Sequence, residues 1–313
     1  MYTYKTEDFS NKLKERTDYI EEVISDYLPK EKVKQKLIIE AMNYSVLAGG
    51  KRIRPLLMME TYFAFGGNDI DWISPFMAAI EFIHSYSLVH DDLPAMDNDE
   101  YRRGKQTTHV KYGETIGILA GDGLLNHAFE TATNAYYDTN DNQCKERTIR
   151  SLRVLGDKAG IYGMIGGQVI DTCILEGQKI TDQDKNKLVE ELNHMYTLKT
   201  GALIQASMMI GAILAGASEE QVELVEEMAT NIGLAFQIQD DVLDVTSTTE
   251  QLGKPVLSDQ RNEKITYVAL LGLEKAKEEV AFYSEKSLDI YKKLGLSNPF
   301  LYDLINMLIS RDK

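Results

Sequence analysis

The chain has 313 residues, 43% apolar and 27% charged, the proportions of a soluble globular protein. Its formal net charge of −15 argues against non-specific binding to nucleic acid or an anionic membrane, because both require an excess of positive charge. The start, MYTYKTEDFSNKLKER, carries no apolar stretch of a secretory signal, and Cys144 and Cys173 stand in no metal or redox spacing, so free thiols in a reducing cytoplasm are expected.

Taken in chain order, apolar residues recur at helical spacing and predict helices over 4–27, 31–47, 53–66, 71–92, 114–138, 143–157, 160–175, 182–215, 219–245, 263–293 and 298–310. Turn material separates them: GGK at 49–51, FGGND at 65–69, LEGQKITDQD at 175–184, LGKPVLSD at 252–259 and LGLSNP at 294–299. Thr181 and Ser218 stand as N-caps. Strand-like alternation is scarce and no low-complexity linker divides the chain, so one all-α domain over 1–313 is expected. No residue from Thr200 to Ser218 is charged, which approaches the length of a membrane span. Gln205, three glycines, two serines and several alanines dilute that run, which reads instead as a helix buried on every side at the centre of a helical domain.

Two acidic clusters interrupt this apolar pattern. The first, HDDLPAMDNDEYRRG at 90–104, holds Asp91, Asp92, Asp97, Asp99 and Glu100. Pro94 biases Leu93 away from the helical region, so the helix is expected to end near Asp92 and the chain to turn Asp97 back beside Asp91. The second, AFQIQDDVLDV at 235–245, places Asp240 and Asp244 at i and i+4, on one helix face. Like charges at that spacing need a divalent cation or a basic partner, and carboxylates set into an apolar helix need partners. Two carboxylate walls, each at the C-terminal end of an apolar helix, suit Mg²⁺ completed by phosphate oxygens and water. In an acidic chain, local positive charge also carries information. Lys51, Arg52 and Arg54 lie in GGKRIRP, and Arg102, Arg103 and Lys105 in YRRGK. Lys199 edges the uncharged helix, and Lys254 and Lys264 follow the second acidic cluster. Two basic sets suggest two diphosphate sites, one reached through metal and one held directly.

GGKRIRP, DDLPAMD, RRG, KTGAL, GLAFQIQDDVLD and LGK occur in an order that resembles the trans-isoprenyl diphosphate synthases, over nearly the whole chain. The extra Pro94 and Ala95 between the first aspartates, with Tyr86 upstream, are similar to the bacterial farnesyl type within that family. The resemblance implies a single large helical bundle of the isoprenoid synthase type with a central cavity. It implies Mg²⁺, three ions with substrate bound, on Asp91, Asp97, Asp240 and Asp244; Mn²⁺ stays open. It places the diphosphate of isopentenyl diphosphate on Lys51, Arg54, His84 and Arg103, and that of an allylic partner on Arg102, Lys199 and Lys254. Thr200 and Gln237 would face the allylic carbon chain and, with a backbone carbonyl near Lys199, offer dipoles to a cation. Tyr86 and Ser87, one helical turn before Asp91, would meet a growing prenyl tail and set its length near fifteen carbons. A homodimer is implied as well. The sequence departs from the family at NDEY after Asp97 and at Leu257, and a different closing of the loop after Lys254 is expected. Rival readings are a geranylgeranyl diphosphate synthase and a terpene cyclase, whose second wall has a different pattern. Two others are a non-catalytic regulatory subunit and an HD-type metal phosphohydrolase built on His84, His90 and Asp91. His109 is assigned to none of them.

Overall fold

The computed structural model describes residues 7–30, 34–175, 185–246 and 265–309. Helices account for nearly all of the regular structure there: α1 (Glu7–Tyr27), α2 (Lys36–Val46), α3 (Ile53–Ala64), α4 (Ile70–Asp91), α5 (Thr108–Tyr112), α6 (Glu114–Tyr137), α7 (Asn142–Ala159), α8 (Met164–Val169), α9 (Lys185–Tyr196), α10 (Ala202–Ala215), α11 (Glu219–Thr246), α12 (Tyr267–Leu271), α13 (Leu273–Lys293) and α14 (Pro299–Ile309). π-helical turns follow α8 at Ile170–Leu175 and join α9 to α10 at Thr197–Gly201. The one strand pair among the described residues is a hairpin, β1 (Tyr101–Arg102) antiparallel to β2 (Lys105–Gln106).

Two helices without a polar face lie at the centre. Every residue of α10 from Ala202 to Leu214 is buried, and so is most of α4. Such helices must be covered all round. Around them α3, α7 and α11 pack on α10, and α6 runs along α4. At the closest crossing, a Cβ on Gly211 would stand 2.4 Å from the Met58 carbonyl oxygen, so α10 lies directly on the backbone of α3. The stretch Lys185–Ala215 is long and apolar enough to cross a bilayer, but 78% of its apolar window is buried inside the fold. A smaller apolar cluster joins α9, α11, α12 and α13 through Leu188, Leu192, Tyr196, Ile238, Tyr267 and Val280.

Several boundaries differ from the sequence reading for identifiable reasons. The helix expected over 160–175 starts at Met164, after a turn through 160–163. The helix expected over 263–293 breaks at Gly272, whose φ of 82° ends α12 and opens α13. The N-cap expected at Thr181 lies outside the described residues. The Ser218 cap forms reciprocally: Gln221 N–H donates to Ser218 Oγ at 3.3 Å and Ser218 N–H donates to Gln221 Oε1 at 2.9 Å.

Candidate active site

The first carboxylate wall is built by the end of α4. Asp92 is its C-cap, and the Asp97 N–H donates to the Asp91 carbonyl at 2.8 Å, so the turn past Pro94 returns Asp97 to Asp91. Burial lifts the Asp91 carboxyl to about 6; the Lys199 ammonium opposes this and Asp97 adds to it. Asp92 faces elsewhere. It is 4% exposed and accepts from Arg102 Nε at 2.7 Å and Nη2 at 2.6 Å, with Asp99 3.5 Å from the same Nη2. Arg102 therefore does neutralise one of the aspartates beside it, and its remaining donors are what it can offer an anion.

The hairpin aims Arg103. Its two turn residues, Arg103 (φ 52°) and Gly104 (φ 74°), both take positive φ, as a two-residue type I′ turn requires. The Arg103 guanidinium lies over Gly50 and donates to the Gly49 carbonyl. A Cβ at Gly50 would stand 2.9 Å from Arg103 Nη1 and Gly50 has φ 157°, so glycine there admits the arginine.

The charges of GGKRIRP divide by direction. Arg52, at φ 48° ahead of α3, turns into the core. Its Nε and Nη2 donate to the two Glu21 oxygens at 2.8 and 3.0 Å, Nη1 donates to Glu81 at 2.6 Å, and Nη2 also donates to the Val46 carbonyl at 2.7 Å. Arg52 is thus a structural bolt joining α1, α2 and α4 and not an anion ligand. Arg52→Ala strands Glu81, which is 2% exposed, and is expected to cost about 3–5 kcal/mol in urea unfolding; Arg52→Met with Glu81→Leu recovers most of it. Lys51 is exposed, whereas Arg54 lines the central cavity. Arg54 Nε is buried without a hydrogen-bond partner, and burial lowers the guanidinium to about 10, Glu81 opposing and Arg103 reinforcing. A cation at a cavity with a buried donor left unmatched is an anion site in waiting.

His84 lines the same cavity, one turn after Glu81. Burial, then Arg54, Arg103, Arg52 and Arg102, hold it well below the usual histidine range, so it is neutral in the free protein. A histidine with a lowered folded pKa stabilises the fold above its unfolded value near 6.5, and that contribution is lost as the pH falls below it. His84→Gln is expected to flatten the pH dependence of stability below that value by up to about 1.4 kcal/mol per pH unit, read from denaturation midpoints.

Lys199 and Thr200 lie on the π-turn between α9 and α10, and both line the cavity. Lys199 Nζ donates to Asp171 Oδ2 at 2.5 Å. The second wall is the end of α11. Gly233, Gln237, Asp240 and Asp244 are spaced four, three and four apart, one helix stripe. Gly233 meets Gly201 of the π-turn, which sets this stripe toward Lys199 and Thr200. Asp241 points off the stripe. It is 5% exposed and accepts from the Tyr196 hydroxyl at 2.9 and 2.8 Å and from the Tyr267 N–H at 2.8 Å, holding α9 and α12 to α11. Within one acidic motif, then, Asp241 is structural while Asp240 and Asp244 share the stripe that leads to the π-turn.

The end of α4 and the turn after it, α8, the π-turn at 197–201, Arg54 of α3 and Ile118 of α6 line a half-open cavity of about 600 Å³; Asp97, Arg102, Arg103, Gln237, Asp240 and Asp244 are not among its lining residues. Arg54, His84, Asp91, Lys199 and Thr200 form its polar end, and Leu88, Leu93, Met96, Ile118, Met164 and Val169 its apolar body. Tyr86 and Ser87 stand in its wall. The Tyr86 ring is 6% exposed, packs edge-on against His90 with centroids 5.8 Å apart, and carries a hydroxyl without a hydrogen-bond partner. Burial, with Asp91 assisting, raises that hydroxyl to about 12. Sequence reading passed over Gln168, whose buried amide nitrogen has no partner and which lines this cavity with Thr172. It also passed over Asp171. The stretch read there only as helix, although its adjacent glycines, Gly166 and Gly167, signalled a close approach. Lys254, Lys264 and Leu257 lie outside the described residues.

The donor chemistry fits divalent cations held jointly with a ligand. Asp91 and Asp97 are drawn together at a cost that a cation would relieve. Among the described residues no three or more His, Cys, Asp or Glu side chains come together as a group that could hold a metal ion, so Asp91, Asp97, Asp240 and Asp244 are not gathered into one cluster. Hard ions that keep water and take phosphate oxygens need no such cluster. The phosphohydrolase triad does not assemble: His90 Nε2 lies 3.0 Å from the Ile118 carbonyl, and His84 is surrounded by arginines.

An all-α bundle with carboxylates and basic groups at the head of an apolar cavity is the architecture of a prenyl-chain synthase, and the chain belongs to the polyprenyl synthetase family, whose model matches residues 35–293. It is 41% identical over 301 residues to farnesyl diphosphate synthase of Geobacillus stearothermophilus, covering 96% of this chain and 97% of that protein. It is 40% identical over 290 residues to geranylgeranyl diphosphate synthase of Cyanophora paradoxa, covering 89% and 92%. Among solved structures it is similar to the geranyltransferase of Helicobacter pylori complexed with magnesium and isoprenyl diphosphate, with a TM-score of 0.79, 30% identity, and coverage of 96% and 95%.

Proposed function

We propose that this protein is a farnesyl diphosphate synthase, which condenses isopentenyl diphosphate head to tail with dimethylallyl and then geranyl diphosphate, releasing pyrophosphate at each step. The observation that carries the reading is two chemically different anion-holding sets at the head of one apolar cavity. Asp91 and Lys199 line it on one hand, with Asp97 in their field, and Arg54 and His84 on the other, with Arg103 in theirs; Asp97 and Arg103 themselves stand outside the lining. Two diphosphates of one reaction would use them separately. Similarity to farnesyl synthases over nearly full length supports the product assignment.

Asp91, Asp97, Asp240 and Asp244 would hold Mg²⁺, three ions with substrate bound. When bound, Mg²⁺ neutralises charge that develops on a departing pyrophosphate. Lys199 and the free donors of Arg102 bind the allylic diphosphate, and Lys51, Arg54, His84 and Arg103 bind that of isopentenyl diphosphate. The allylic carbon–oxygen bond breaks, the double bond of isopentenyl diphosphate forms the new carbon–carbon bond, and one proton passes to pyrophosphate. Thr200 and Gln237 present oxygen dipoles to the allylic cation without trapping it, while the apolar lining keeps water out. Ile118, Leu119, Ile161, Tyr162 and Val169 are exposed around this side of the bundle, which supports a homodimer that covers them. A cytoplasmic location is supported by free Cys144 and Cys173.

Incubation of the purified protein with Mg²⁺, dimethylallyl diphosphate and isopentenyl diphosphate, followed by chromatography, tests the reading. Farnesyl diphosphate is the expected product. Geranylgeranyl diphosphate would move the assignment within the family, and phosphate release without elongation would overturn it. Repeating the incubation with Mn²⁺ separates the two metals.

A further inference from the structure

Residues 166–172 press directly on the segment that carries Lys199 and Thr200. A Cβ on Gly167 would stand 2.2 Å from the Lys199 backbone nitrogen and 2.6 Å from its Cα. Ordinary contacts begin at 3.4 Å, so a side chain at 167 must part the two backbones by roughly 1 Å. From α11, a Cβ on Gly233 would stand 2.9 Å from the Gly201 Cα, so the π-turn is gripped on both sides by backbone. The segment after Gly167 widens to a π-helix at Ile170, and Asp171 on it accepts from Lys199 Nζ at 2.5 Å, with 16% and 27% side-chain exposure. Facing π-turns are local departures that recur at functional sites.

We infer that Gly167 and Asp171 are positioning residues for the allylic diphosphate. Gly167 fixes the height of the Lys199–Thr200 backbone against α8, and Asp171 holds the Lys199 ammonium in one orientation. Neither is among the residues lining the cavity, so both act through Lys199 and Thr200. A lysine on four methylenes is otherwise free to swing, and a fixed acceptor removes that freedom before substrate arrives. An ammonium has three donors, so one spent on Asp171 leaves two for phosphate oxygens. The basic set around His84 makes no use of either residue.

This inference rests on the prenyl-transfer reading, and its test separates the two. Steady-state kinetics on geranyl and isopentenyl diphosphates are measured for wild type, Gly167→Ala, Asp171→Ala, Asp171→Asn and the control Gly156→Ala, each checked for folding by circular dichroism. A Cβ at Gly156 meets only Phe129, at 3.9 Å, so that variant keeps wild-type kinetics. Gly167→Ala is expected to lower kcat about 10²-fold with the isopentenyl KM within about twofold. Asp171→Ala raises the geranyl KM about tenfold, and Asp171→Asn restores it because its amide oxygen accepts the same hydrogen bond. If Gly167→Ala does not fold, the two Asp171 variants decide. Equal rises in both KM values, wild-type kinetics for Asp171→Ala, or no restoration by asparagine overturn the inference. Wild-type protein that fails to elongate overturns the functional reading instead. Calorimetric binding of geranyl diphosphate to Asp171→Ala and Asp171→Asn then still decides the positioning roles.

Discussion

Asp91→Ala is expected to lower kcat by about 10³-fold or more with the fold intact, because metal-assisted charge neutralisation and preorganised electrostatics contribute several kcal/mol to such a step. The residue sits where α4 ends, beside Asp97 and within the field of Lys199. Burial already makes its charge unfavourable in the free protein, so the loss of its carboxylate removes a liability and leaves stability undiminished. Asp92→Ala makes the contrast. It strands the Arg102 guanidinium and is expected to weaken allylic binding through a loosened Arg102. Kinetics with saturating Mg²⁺, together with urea unfolding of both variants, separates the roles. Asp91→Ala with more than a tenth of wild-type kcat would remove the first wall from the mechanism.

Tyr86→Ala is expected to shift the main product from fifteen carbons to twenty or more. The tyrosine stands in the cavity wall one turn before Asp91, so removing its ring deepens the apolar body by about a side chain's volume. A ring truncation in a core ordinarily costs about 3–5 kcal/mol. That cost falls here because the Tyr86 hydroxyl has no hydrogen-bond partner to lose. Tyr86→Phe keeps the ring and sheds only the hydroxyl, so it is expected to keep the fifteen-carbon product and wild-type stability or better. Product chromatography of both variants checks the assignment. An unchanged chain length in Tyr86→Ala would return Tyr86 to ordinary core packing.

Most helices were legible from spacing alone. α4, α6 and α11 start and stop within one residue of their sequence expectation, because apolar periodicity and caps such as Ser218 are local properties. The end of α4 before Pro94 and the return of Asp97 to Asp91 were legible for the same reason. The hairpin at 101–106 was not. Its only signal was an Arg103–Gly104 pair inside a basic run, and a two-residue strand has no periodicity to detect. The breaks at Thr197–Gly201 and Gly272 fell inside patterns that read as continuous helix. Tight backbone approach at Gly167 and Gly233 imposes the first shape, and that approach involves residues far apart in the chain.

The sequence by itself determined an all-helical chain, the two acidic motifs, and the basic residues available to match them. Only the tertiary structure decided which of those charges face the cavity. Arg52 and Arg54 are two positions apart, yet one is consumed by Glu21 and Glu81 and the other stands unmatched at the cavity. Asp241 is likewise taken up by Tyr196 and Tyr267 beside an Asp240 on another face. Residue type and helical phase are written in neighbouring positions. The direction of a buried charge is set by partners tens of positions away, which the fold alone brings within hydrogen-bond reach.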